Sequence, residues 1–98
     1  MLTLKERVLT SLRKTMGLNE GGARDSLCLS CHYGQAYNHV NWLAILQDIL
    51  EDENVDLARF TKQINGLFGM HRGRLRQVPL CISVNDVAAT LDRYEQAS

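Results

Sequence analysis

Proline occurs once in these 98 residues, and runs of β-branched side chains are scarce. Strands draw on Val, Ile and Thr and need punctuated turns, so both shortages tilt the chain toward helix. No segment approaches the roughly 20 consecutive apolar residues that a membrane-spanning helix requires, and the first residues lack the long apolar run of a signal peptide. The three cysteines are an odd number and give no disulfide framework. These shortages predict a reducing, cytoplasmic setting with no membrane partner. Net charge is missing too. The 11 cationic side chains balance 11 anionic ones, so the molecule as a whole exerts no electrostatic pull on nucleic acid or lipid.

Ordinary globular material remains. Apolar residues make up 45% and charged residues 22%, well away from the composition of a disordered chain. The length suits one small core, so residues 1–98 read as a single domain. The charges, although balanced, are not mixed. Asp48, Glu51, Asp52, Glu53 and Asp56 crowd one short segment, and the next 29 residues contain no acid. Within and beside that acid-free stretch stand Arg59, Lys62, His71, Arg72, Arg74 and Arg76.

The hydrophobic pattern predicts an all-α bundle of four to five helices. Thr3 and Glu6 make a capping box, Leu4, Val8, Leu12 and Met16 recur at helical spacing, and Gly17 stands where a helix stops, which predicts a helix over 4–16. Residues 18–37 read as an irregular packed loop with one or two helical turns between Asp25 and Tyr33. A second helix is predicted from about Asn38 to Glu53, with Trp42, Leu43, Ile45, Leu46, Ile49 and Leu50 as a wide apolar face. Its acidic end opposes the helix dipole, which calls for a cation nearby. Asp56 can cap a third helix through Leu57, Phe60, Ile64 and Leu67 or Phe68. A fourth helical segment over 70–78 requires that Gly73 be tolerated, and Pro79 ends it. Ser83 and Asp86 then open a last helix to about Gln96, with Val84, Val87, Ala88, Leu91 and Tyr94 facing inward. The expected core is Trp42, Leu46, Ile49, Phe60, Ile64 and Leu91.

The stretch "FTKQINGLFGMHRGRLRQV" at 60–78 resembles a helix-turn-helix unit. With Gly69 at the turn, Ile64 falls in the first helix, Phe68 and Met70 flank the glycine, and Leu75 and Val78 take two inward positions of a second helix. Asn65, where a small residue belongs, and Gly73, inside the reading helix, depart from the pattern. The resemblance implies DNA binding, with Arg72, Arg74, Arg76 and Gln77 at the groove, beside His71, and Arg59 and Lys62 on phosphates. One such helix gives little affinity, so a homodimer is expected. The alternative is a protein-binding adaptor or inhibitor that works through the basic patch or through the acids from Asp48 to Asp56.

Other chemistry is weaker. "CLSCH" at 28–32 matches covalent haem attachment, and Cys28 and Cys31 with His32, His39, His71 or Cys81 have part of a zinc set. The bland reading takes Cys28 and Cys31 as small buried hydrophobes between Leu27 and Leu29. Cys31 beside His32 lacks an orienting acid, so neither an enzyme nor a cofactor or metal is expected. Both ends, "LKERVLTSLRKTMGL" and "ISVNDVAATLDRYEQ", resemble the outer helices of acyl carrier proteins, and "DSL" at 25–27 resembles the carrier's phosphopantetheine-bearing serine. In that family the serine begins an acidic second helix, whereas Ser26 falls about a dozen residues before the strong helix here.

Overall fold

Two capping boxes frame the chain. A computed structural model of the protein describes residues 1–17, 25–30, 42–63 and 66–97. Helix α1 (Leu4–Met16) opens at Thr3, whose hydroxyl accepts from the Glu6 N–H while the Glu6 carboxylate accepts from the Thr3 N–H, and it closes at Gly17, φ +68°. The last helix, after Ser83, repeats the reciprocal bond with Asp86. Both ends carry the caps that the sequence predicts.

Between them lie α2 (Trp42–Asp52), a short α3 (Leu57–Thr61), strands β1 (Phe68–His71) and β2 (Arg74–Gln77), and finally α4 (Val84–Gln96). The two strands pair antiparallel, so the fold is α+β and not all-α. Two expected helices give way. The third stops at Thr61, well short of Leu67, and the segment over 70–78 is not a helix at all.

The physical reason is local. Glycines at 69 and 73 each weaken a helix by about 1 kcal/mol relative to alanine. The chain instead reverses through Arg72 and Gly73, both left-handed at φ +52° and +77°. Positive φ at both central residues is the two-residue turn whose twist matches that of paired strands. Strand side chains alternate, so Leu75 is buried while Val78, three residues on, is 56% exposed. The spacing read as one inward helical face is divided between two faces of a ribbon.

The acidic end of α2 is closed from two sides. Asn54 takes the left-handed conformation at φ +60°, with Val55 N–H donating to Leu50 O (2.9 Å) and Asn54 N–H to Glu51 O (3.0 Å). This is a Schellman closure with asparagine in the place that glycine usually holds. Arg7 supplies the cation that the dipole argument calls for, its Nε 2.9 Å from Glu53 Oε1.

One core joins every element. Val8, Leu12 and Met16 of α1 meet Leu46 and Leu50 of α2 and Val84, Val87 and Leu91 of α4, all fully or almost fully buried. Of the expected core, Trp42, Leu46, Phe60 and Leu91 are buried, Ile49 packs at its edge, and Ile64 lies outside the described residues. An aromatic cluster ties in the hairpin: Phe68 sits 5.2 Å from Phe60 and 6.5 Å from Trp42, ring centre to ring centre. On the other edge, Gln47 of α2 accepts from the Leu75 N–H (2.8 Å) and donates to Gly73 O (3.3 Å). Leu75 faces Met70 across a pair whose own backbone bonds point away from the partner strand, so this side chain satisfies an otherwise open sheet edge.

The segment 25–30 is held at two points. Asp25 is buried and receives Arg13 in a two-pronged ion pair, 2.7 and 3.2 Å. Leu29 N–H donates to Ile82 O (2.8 Å), and beside it Cys28 and Cys81 form a disulfide with Cα atoms 5.3 Å apart. This corrects the expectation of no disulfide and of a hydrophobic role for Cys28. The partner stands 53 residues away, a separation that no spacing rule reveals.

Replacing Gln47 with alanine leaves the Leu75 N–H without its acceptor. The expected loss is about 1–3 kcal/mol in chemical denaturation. Amide exchange at Leu75 should accelerate, and unchanged protection there would contradict the role given to Gln47. The Thr3 N–H and then its hydroxyl hold the Glu6 carboxyl below its ordinary range, with Lys5 pulling more weakly in the same direction. A depressed carboxylate stabilises the fold above its ordinary pKa, and that contribution is lost as pH falls through the folded value. Thr3→Ala should therefore move the Glu6 titration, followed by NMR of its side chain, back up toward the ordinary range.

Candidate functional site

The β-hairpin carries most of the cations that the sequence singled out. Register pairs Phe68 with Gln77, Gly69 with Arg76, Met70 with Leu75 and His71 with Arg74. Phe68 and Leu75 turn into the core, so Gly69, His71, Arg74 and Arg76 occupy the outer face. Arg72 stands at the turn. All four of His71, Arg72, Arg74 and Arg76 are exposed. Gly69 adds a flat spot: a Cβ there would meet Val78 Cγ2 at 3.7 Å and Arg76 Nε at 4.0 Å, so those two side chains lean across it.

No carboxylate neutralises this face among the described residues. The ion pairs there are Lys5 with Asp92, Arg7 with Glu53 and Arg13 with Asp25, and none involves the hairpin. Among the described residues the acidic and basic segments form no ion pair with each other. Asp48, Glu51 and Asp52 are exposed along α2. Glu53 is engaged by Arg7, and Asp56 caps α3 by accepting from the Arg59 N–H (3.2 Å).

Three residues of the expected DNA-contacting set lie elsewhere. Gln77 is half-buried on the inner face of β2 and donates to Leu80 O (3.0 Å), so it braces the strand exit. Arg59 belongs to α3, its guanidinium 3.7 Å above the Tyr94 ring and its Nη2 donating to Tyr94 O (3.3 Å). Tyr94 is locked in turn by the Asp56 N–H, which donates to its hydroxyl (3.1 Å). Lys62 is exposed just past α3, and with Arg59 it lines a cleft together with Arg93 of α4, a residue the sequence reading did not select. Arg93 sits in the last turn of a helix, where a cation is expected on dipole grounds alone, so nothing in the sequence marked it.

The metal and cofactor readings fall largely on residues 31–41. Cys31, His32 and His39 lie outside the described residues. Cys28 and Cys81, two of the remaining zinc candidates, are paired with each other. No group of three His, Cys, Asp or Glu side chains suited to a metal occurs among the described residues. As for the carrier-like serine, Asp25 of "DSL" is committed to Arg13, and Ser26 is exposed in a single tight turn.

The turn generates a test of its own. Gly73→Ala meets no steric neighbour, yet its φ of +77° is strained for any side chain. The expected cost is about 1 kcal/mol or more, read as a lower midpoint in urea. Unchanged stability would argue against a left-handed residue at this position. Compared with family models, curated proteins and solved structures, the chain matches none of them.

Proposed function

We propose that the chain is a non-enzymatic regulatory binding protein that contacts nucleic acid through the outer face of its β-hairpin. The observation that carries this reading is the side-by-side display of His71, Arg74 and Arg76, with Arg72 at the tip and no acid paired to them among the described residues. A two-stranded antiparallel ribbon is narrow enough to enter the major groove of B-form DNA, and arginine serves there both as a phosphate contact and as a two-pronged reader of guanine. The helix-turn-helix reading is set aside, because its second helix is a strand. The chemistry attributed to the arginines carries over to the ribbon.

Zero net charge limits what one copy can do. Affinity for DNA comes mainly from phosphates neutralised, and four hairpin positions give only a modest total. A homodimer that sets two hairpins on one duplex fits this limit. The second reading, a protein-binding adaptor, draws support from Val78 and Leu80, exposed by 56% and 95% beside the arginines. Apolar side chains of this kind are covered by a protein partner and not by a phosphate backbone.

Among the described residues no helix is long and apolar enough to cross a membrane. A cytoplasmic location stays our reading of the sequence, with one point of tension. The Cys28–Cys81 disulfide belongs to an oxidising setting, and in a reducing compartment the two would be neighbouring free thiols.

A salt titration on a short duplex tests the reading. Log affinity should fall linearly with log salt, and Arg72→Ala, Arg74→Ala and Arg76→Ala combined should flatten the slope by about 3. All three side chains are exposed, so the triple variant should fold normally. Absence of measurable binding by the wild-type chain at low salt overturns nucleic-acid contact and leaves the adaptor reading.

A further inference from the structure

A second cationic feature lies off the hairpin, where α3 ends beside the last turn of α4. Arg59, Lys62 and Arg93 line an open cleft of about 380 Å3 together with Gln63, Gln96 and Ala97. The lining contains three cations, two carboxamides and no acid. Asp92 borders the adjoining hollow, but Lys5 holds it at 2.9 Å. Asp56, the nearest acid in sequence before Arg59, is occupied with capping α3.

Cations at helix ends are favoured by the dipole, and that alone explains one such residue on each helix. It does not explain how Arg59 is held. Its guanidinium is stacked on Tyr94 at 3.7 Å, one terminal nitrogen is fixed on Tyr94 O, and its Nε is buried without a hydrogen-bond acceptor among the described residues. The backbone of the same residue is clamped by Gln63, whose Nε2 donates to Arg59 O at 2.6 Å. An arginine fixed in this way has already lost its rotamer freedom; its Nε is shielded from a ligand, and its Nη1 has no acceptor among the described residues. Lys62 and Arg93 are exposed and pair with no acid among the described residues.

We infer that this cleft is an anion site for a phosphate group, with Arg59 as its fixed floor and Lys62 and Arg93 as its closing sides. Three cations facing one hollow match a dianion better than a single carboxylate, and arginine suits phosphate because its planar donors engage two oxygens at once. The Gln96 carboxamide offers a neutral donor for a further oxygen. The opening leaves room for more than the tetrahedral group, so the phosphate can belong to a small ester or to a polymer backbone. The site stands on α3 and α4 and does not rest on the hairpin reading.

The test uses the whole chain and NMR. Inorganic phosphate is titrated at constant ionic strength made up with chloride, followed by a short duplex, while the signals of Arg59, Lys62, Gln63, Arg93 and Gln96 are observed. Saturable shifts confined to these residues are expected, with binding weakened at least 10-fold by Lys62→Gln combined with Arg93→Gln. Both side chains are exposed, and Arg59 is left intact because it packs on Tyr94. Saturation by inorganic phosphate assigns a free phosphate compound as the source. Shifts at the cleft with duplex alone assign the nucleic-acid backbone, provided that they persist in the Arg72, Arg74 and Arg76 triple variant. Cleft signals that respond to neither, or equally to chloride, overturn the site. The hairpin reading fails separately, if its own residues stay silent on adding duplex.

Discussion

The burial of Phe68 between Phe60 and Trp42 is the contact on which the exposed basic face depends. Two isolated strands of four residues are marginal in water, so the hairpin needs an anchor outside itself. Phe68 gives it one on the β1 side, and Gln47 gives it another on the β2 side by satisfying the Leu75 N–H. With both edges fixed, strand alternation leaves no freedom for the other side chains. His71, Arg74 and Arg76 must face outward because Phe68 and Leu75 face inward. The position of charge on this protein thus follows from where one aromatic ring is buried.

The same cluster reaches the second cationic feature. Phe60 lies 6.5 Å from Tyr94, and Tyr94 is the plate on which Arg59 is stacked. One aromatic row therefore underlies the hairpin on one side and the α3–α4 cleft on the other. Along α2, Asp48, Glu51 and Asp52 are presented to solvent. Zero net charge thus conceals an exposed acidic group on α2 and an exposed basic group on the hairpin, so a partner would meet local patches of either sign.

Much of the fold was legible. The capping boxes at Thr3 and Ser83, the stop at Gly17 and the inward faces of α1 and α4 follow from reciprocal side-chain bonds and a 3.6-residue period, both local properties. The cation near the end of α2 was also inferable, since unpaired carbonyls and acids at one place demand a positive neighbour, and Arg7 is that neighbour. The hairpin was not legible for a specific reason. Its turn uses Arg-Gly, whereas the common signal is Asn or Asp before the glycine, so the sequence reads as a helical segment in which Gly73 has to be tolerated. Phe68, Leu75 and Val78 fitted helical spacing by coincidence, and the four-residue strands were too short to show alternation against it. The arginines were thus correctly picked out as an exposed group but assigned the wrong backbone. Arg93 and the Cys28–Cys81 pair depend on contacts between segments distant in sequence, which no local pattern encodes.

The central claim is that residues 68–77 form a ribbon with a basic outer face, and interproton contacts across that ribbon test it most directly. Met70 opposite Leu75, and Phe68 opposite Gln77, are pairs without mutual backbone hydrogen bonds, in which the two Cα protons approach closely. Strong Cα-proton contacts for both pairs are the predicted result in the free protein. Helical contacts between residues three apart along 70–78, with no cross-strand signal, would contradict the account.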